Sequence, residues 1–123
     1  SKATNPDAAI RGIGAMNRRT MLIGGGYDKN LEFDDWIESF AGKVKCLLLI
    51  GQTKDKIAVC ARKHGFENIV CCDTLKEAVD ICYRLSEPGE AVLLSPACAS
   101  WGDFKDYTQR GDLFRQYVMN LPE

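Results

Sequence analysis

Short, nearly apolar runs alternate along this chain with stretches in which apolar positions recur every three or four residues. The runs are Thr20-Met21-Leu22-Ile23, Val44 to Ile50, Asn68-Ile69-Val70-Cys71-Cys72 and Ala91-Val92-Leu93-Leu94. They stop at Gly24, Gly51, Asp73 and Ser95-Pro96. Runs of this length that lack polar alternation predict strands buried on both faces, as in parallel sheets.

The intervening stretches predict helices. Thr4-Asn5-Pro6-Asp7 is a helix start, with Asn5 as cap, Pro6 in the first helical position and Asp7 at the positive end of the helix. Ala8, Ala9, Ile10, Ile13 and Met16 supply its apolar face. Asp34 to Phe40 reads as a short amphipathic helix carrying Trp36, Ile37 and Phe40. Thr53 is placed to cap a helix that runs to about Lys63 and stops at Gly65. Thr74 and Glu77 form a capping box ahead of Val79, Cys82 and Leu85. Pro88-Gly89 marks a turn, and a last helix is expected over about Asp112 to Met119.

Strands joined by helices predict right-handed crossovers. The expected fold is therefore a Rossmann-like α/β three-layer sandwich, a mostly parallel sheet flanked by helices, with residues 1–123 forming one domain. Ligands in such folds sit at the carboxyl ends of the strands. Here those ends carry Gly24 to Lys29, Gly51-Gln52-Thr53, Asp73-Thr74 and Ser95 to Ser100.

Composition narrows the function classes. A chain of 123 residues with 46% hydrophobic and 27% charged residues is an ordinary globular chain able to bury a real core. The formal net charge of -1 comes without a basic stripe, which argues against nucleic acid. No apolar run approaches the ~18 residues of a membrane span, and no secretory leader is visible, so neither membrane attachment nor export is expected. The start at Ser1-Lys2, without an initiator Met, suggests a fragment or a processed product.

Five of the six cysteines, Cys98 apart, fall in strand-like or helix-like segments, as buried small hydrophobes do in a reducing compartment. No C-x-x-C pair occurs and His64 is the sole histidine, which argues against a zinc site; no metal ligand is expected. Cys98 has no visible base and reads as a structural thiol. His64, near a helix end, reads as a dipole-compatible surface residue, and Asp34-Asp35 as structural charges at a helix start.

Three segments carry candidate chemistry. Gly24-Gly25-Gly26 lets backbone N–H groups approach a ligand, and Lys29 adds a cation; an anion site and a flexible connection both remain open. The spacing fits neither the phosphate-binding loop nor the dinucleotide fingerprint. Ser1-Lys2-Ala3-Thr4-Asn5 sets a lysine and a hydroxyl before a helix start, where anions are favoured, although taken alone the segment reads better as a plain capping motif with an exposed lysine. Ser95 to Gly111 opens with small residues that let another molecule come close, with Ser100 as a hydrogen-bonding group; a tight packed turn that only spaces strand and helix is the other reading.

Taken in order, Ser1 to Pro6, Gly24 to Phe33, Leu93 to Ser100, Phe104-Lys105-Asp106-Tyr107 and Arg110 to Phe114 resemble the carboxy-terminal domain of the Mur ligase family, in particular its D-glutamate-adding branch. The resemblance spans nearly the whole chain, and its last part is the most specific. It implies ATP-driven amide synthesis in peptidoglycan assembly, in the cytoplasm. The carboxylate of UDP-N-acetylmuramoyl-L-alanine is phosphorylated, and the amine of D-glutamate attacks the acyl phosphate. The family's first domain holds the UDP part and its central domain holds ATP and magnesium. The last contacts D-glutamate and closes over the site.

By the same resemblance, Lys2 lies near the transferred phosphate as the catalytic residue and Thr4 contacts D-glutamate. Lys29 pairs with a D-glutamate carboxylate and Ser100 hydrogen-bonds one. Tyr107, where the family usually has Phe, positions that carboxylate largely through its backbone. The acidic residue that meets the nucleotide ribose in the family would fall just before Ser1. The phosphate-binding loop, the magnesium ligands and the UDP site are likewise outside the sequence, so no ligase activity is expected of this chain alone. Two competing readings are another Mur or folylpolyglutamate-type ligase domain and a receiver module phosphorylated on Asp73. The receiver would need an acidic pair after its first strand, where glycines stand.

Overall fold

A computed structural model of the chain describes residues 6–14, 19–26, 32–40, 42–87, 89–94 and 106–121. In chain order the elements are α1 (Pro6–Gly14), β1 (Thr20–Gly24), α2 (Asp34–Glu38), β2 (Val44–Leu49), α3 (Lys54–Lys63), β3 (Ile69–Cys71), α4 (Leu75–Leu85), β4 (Ala91–Leu94) and α5 (Tyr107–Met119). The four strands form one sheet in the order β3-β2-β1-β4, with every pairing parallel. The expected α/β sandwich is therefore present, and its sheet is parallel throughout the described residues.

Side chains on successive residues of a strand point to opposite faces, and that alternation sorts the core into two layers. Leu22, Leu47 and Leu49 face Ile13, Trp36, Ile37, Ile57 and Ala61 of α1, α2 and α3. Met21, Ile23, Cys46 and Leu48 face Leu75, Val79 and Cys82 of α4, with Leu113, Phe114 and Tyr117 of α5 packed on the same side. β1 and β2 are buried along almost their whole length. β3 and β4 are only partly buried, because they are the edges of the sheet.

On the first layer, Trp36 packs with ring centroids 6.0 Å from Phe33 and 5.3 Å from Phe40, and Phe40 lies 5.2 Å from Phe66. Such pairs add about 0.5–1.5 kcal/mol each beyond the area they bury. Against this, the buried indole N–H of Trp36 has no partner among the described residues, a cost of about 1–3 kcal/mol.

Local signals set most element ends. α3 closes on a left-handed Gly65 (φ +83°), with Gly65 N–H donating to Arg62 O (3.0 Å) and Phe66 N–H to Ala61 O (2.9 Å). This double bond pattern satisfies the last free carbonyls of the helix. Thr74 Oγ1 accepts from Glu77 N–H at 3.1 Å, the Thr half of the capping box. Two expectations shift. α2 ends at Glu38, two residues before Phe40, in a turn where Ser39 Oγ donates to Trp36 O at 2.6 Å. α5 begins at Tyr107, well before Asp112, because the Asp106 carboxylate accepts from Gln109 N–H at 2.8 Å and caps it. Asn5 and Met16 lie outside the described residues.

Candidate functional site

The carboxyl ends of β1 and β2 are sewn together by their own backbone. Ile50 N–H donates to Gly24 O at 3.0 Å and Thr53 N–H to Gly26 O at 3.1 Å. The Thr53 hydroxyl, wholly buried, accepts from Gly26 N–H at 3.0 Å and lies 3.2 Å from Gly26 O. Thr53 therefore does not cap α3 through its side chain, as its position suggested; the hydroxyl reaches across to the neighbouring strand end. Gly25 (φ +96°) and Gly26 (φ +156°) are both buried. A β-carbon at Gly25 would collide with the carbonyl oxygen of Ile50.

This changes the reading of the glycine run. The first use of Gly25 and Gly26 is close approach between two strand ends, and the Gly26 N–H is already committed to Thr53. The segment 24–26 is neither a flexible connection nor, at Gly26, a free anion donor.

At the tip of β3, Cys72 is buried and its thiol is pushed up to about 11, first by that burial and then by Glu77. A thiol held protonated in this way is no nucleophile. Asp73 beside it is exposed, and Lys54 Nζ lies 3.5 Å from its carboxylate. Cys71, expected to be buried, is exposed, since it ends an edge strand.

Of the predicted site residues, Lys2, Thr4, Lys29 and Ser100 lie outside the described residues, as does the side chain of Tyr107. Cys98 lies outside them too. The described frame fixes where those segments depart. β1 and β4 are neighbours, with Ile23 opposite Leu94. Lys29 stands three residues past Gly26 and Ser100 six past Leu94, so both follow adjacent strand ends. Tyr107 is the first residue of α5.

Arg110 was given no role by its sequence context. It lies one turn after Tyr107 and is wholly buried, with partners of its own. A buried guanidinium beside the start of α5 has no periodic signature, so only the fold reveals it.

Comparison with known proteins adds an independent line. Residues 1–98 match the family described as Mur ligase, glutamate ligase domain. The whole chain is 57% identical to a UDP-N-acetylmuramoylalanine--D-glutamate ligase of Lachnoclostridium phytofermentans, covering 27% of that protein. It is 56% identical over 121 residues to the ligase of the same name from Lachnospira eligens, with 98% of this chain covered. To that of Caldanaerobacter subterraneus subsp. tengcongensis it is 50% identical over 123 residues. The chain thus spans 27% of the length of each of these relatives.

Proposed function

The chain belongs to the Mur ligase family, as its glutamate ligase domain, and from that premise we propose that it is the D-glutamate-binding, closing domain of an ATP-dependent ligase that joins D-glutamate to UDP-N-acetylmuramoyl-L-alanine. The observation that carries this reading is 57% identity across the whole chain to a ligase of that name. The neighbouring ends of β1 and β4 support it, because the segments carrying Lys29 and Ser100 both follow them.

The assigned roles follow from what a small diacid needs. Lys29 supplies the cation for one D-glutamate carboxylate, and Thr4, Ser100 and the backbone at Tyr107 supply oriented hydrogen bonds. Lys2 serves the phosphate in transfer. The domain's contribution is positioning: it holds the amine of D-glutamate near the acyl phosphate and excludes water. ATP, magnesium and the UDP moiety are assigned to the rest of the ligase, since this sequence carries no phosphate-binding loop of the G-x-x-x-x-G-K-[ST] type. Part of a site binds weakly, so the chain alone is expected to be inactive. No described helix is long and apolar enough to cross a membrane, in keeping with the cytoplasmic setting this reading assigns.

The test is kinetic and uses the full-length ligase. Lys29→Ala and Ser100→Ala should each raise KM for D-glutamate, about 10- to 100-fold for the charged contact, while KM for ATP stays unchanged. Tyr107→Phe should be silent. An unchanged KM for D-glutamate in Lys29→Ala refutes the assignment.

A further inference from the structure

A second cluster of chemically capable side chains lies away from the strand tips. α3 starts just beyond the carboxyl end of β2, so its last turn, with Cys60, Lys63 and His64, lies toward the other end of the sheet. His64 there borders a hollow with Gly42 and Phe66. Cys60 and His64 are four residues apart and share one face of α3. α2 presents Asp34 to that face. One ligand atom each from Asp34, Cys60 and His64 lies within 4.8 Å of the others.

The geometry points to a site for a divalent transition-metal ion of the zinc type, bound by the Asp34 carboxylate, the Cys60 thiolate and His64 Nε2. One carboxylate, one thiolate and one imidazole form a donor set that suits zinc or cobalt and not magnesium or calcium, which take oxygen ligands. Zinc bonds of about 2.0–2.3 Å place tetrahedral ligand atoms about 3.3–3.8 Å apart. The three atoms therefore need only side-chain adjustment. His64 Nε2 is already 2.8 Å from Asp34 Oδ1.

A further residue stands where a metal-bound histidine needs one. Glu38 Oε1 lies 3.6 Å from His64 Nδ1, the ring nitrogen turned away from Asp34. A metal-bound imidazole commonly donates its other N–H to a carboxylate, which fixes its tautomer and orientation. Glu38 is thus a positioning residue, one turn after Asp34 on α2. Three protein ligands leave a fourth position for water.

The competing account is a plain ion-pair staple between α2 and α3. Lys63 Nζ sits 2.9 Å from the same Asp34 oxygen, and the carboxyl is held well below the usual carboxylate range, first by His64 and then by Lys63. The staple explains Asp34, Lys63 and His64. It does not explain why the part-buried Cys60 thiol also lies within 4.8 Å of that carboxylate and of the imidazole. The Lys63 side chain is two-thirds exposed, so a metal can displace it into water at little cost. On binding, the Cys60 thiol gives up its proton to solvent, and affinity therefore rises with pH. This site is independent of the proposed ligase role.

The experiment is a titration of the 123-residue chain with cobalt(II), followed by the thiolate-to-cobalt charge-transfer absorption, and with zinc(II) by calorimetry. One ion per chain, with the absorption band present, is expected. Cys60→Ser should abolish the band, and His64→Gln should weaken binding more than tenfold. Glu38→Gln should weaken it about 10- to 100-fold, as loss of such an outer carboxylate does. Cys71→Ser, at the exposed thiol, should leave the band intact. Lys63→Ala should tighten binding severalfold, whereas a staple alone predicts no metal uptake by any of these proteins. Circular dichroism confirms that each variant is folded. Absence of stoichiometric uptake, or a band that survives in Cys60→Ser, overturns the site.

Discussion

At Gly25 a single hydrogen atom in place of a side chain decides whether two strand ends can meet. The residue combines a left-handed backbone with direct contact against the Ile50 carbonyl. Gly25→Ala therefore meets two penalties, an unfavourable φ and a steric clash, together about 3 kcal/mol. Gly65 isolates the first penalty, because it is also left-handed (φ +83°) but has open space where a β-carbon would go. Gly65→Ala should cost only about 1 kcal/mol. Urea unfolding of both variants checks the ranking, and equal losses would mean that the contact with Ile50 carries no energy. The sequence marked Gly25 as part of a ligand-approaching or flexible glycine run and Gly65 as a helix stop, but not which of them faces backbone. That distinction depends on Ile50, 25 positions downstream. Thr53 shows the same limit. Its position before α3 reads as a cap, while its hydroxyl is spent on Gly26, a partner no local pattern reveals.

Between elements, the bridge from β2 to the entry of β4 carries the clearest electrostatic signal. Lys45 Nζ contacts Glu90 Oε1 at 2.8 Å and Leu85 O at 2.9 Å, and the same Glu90 oxygen accepts from Glu87 N–H at 2.8 Å. Lys45 first, then that N–H, hold the Glu90 carboxyl below its ordinary value of 4.5. A carboxyl with a lowered folded pKa stabilises the fold fully above its unfolded value and loses that contribution as pH falls through the folded one. Chain stability should therefore drop below about pH 4.5, in part through Glu90. Glu90→Gln should lie below wild type at pH 7 and approach it at pH 3 in thermal melts; a constant gap across that range would remove Glu90 from the titration. Element identity itself was legible. All four strands and the helices between them follow from run length and period, since apolar runs must be buried. The order β3-β2-β1-β4 was not, so the partial exposure of β3 and β4 went unread. The early start of α5 was hidden behind Gly111, which looks like a breaker but is tolerated once Asp106 caps the helix.

For the whole molecule, the two layers of core make thiol chemistry a reporter of global folding. Cys46, Cys72 and Cys82 are buried in the layer facing α4, and burial pushes the Cys82 thiol up to about 12 and the Cys72 thiol to about 11. Only the thiolate reacts, so burial protects these groups twice, by exclusion of the reagent and by suppression of the reactive form. Cys71, adjacent to Cys72 in sequence, points outward from an edge strand. Cys71 is the last residue of that edge strand, while Cys72, one residue past it, turns into the layer with Leu75, Val79 and Cys82. A thiol reagent applied to the native chain should modify Cys71 promptly. The three buried cysteines should react at least ~10³-fold more slowly, at a rate set by the population of open molecules. In urea above the unfolding midpoint that difference should vanish. Peptide mass spectrometry of samples quenched at successive times reads each cysteine separately. If Cys46, central in β2, were labelled in native buffer as fast as Cys71, the sheet could not have a helical layer packed over that face. The prediction thus bears on the architecture that sets the ends of β1 and β4 side by side, an arrangement that supports the proposed placing of Lys29 and Ser100 on one ligand.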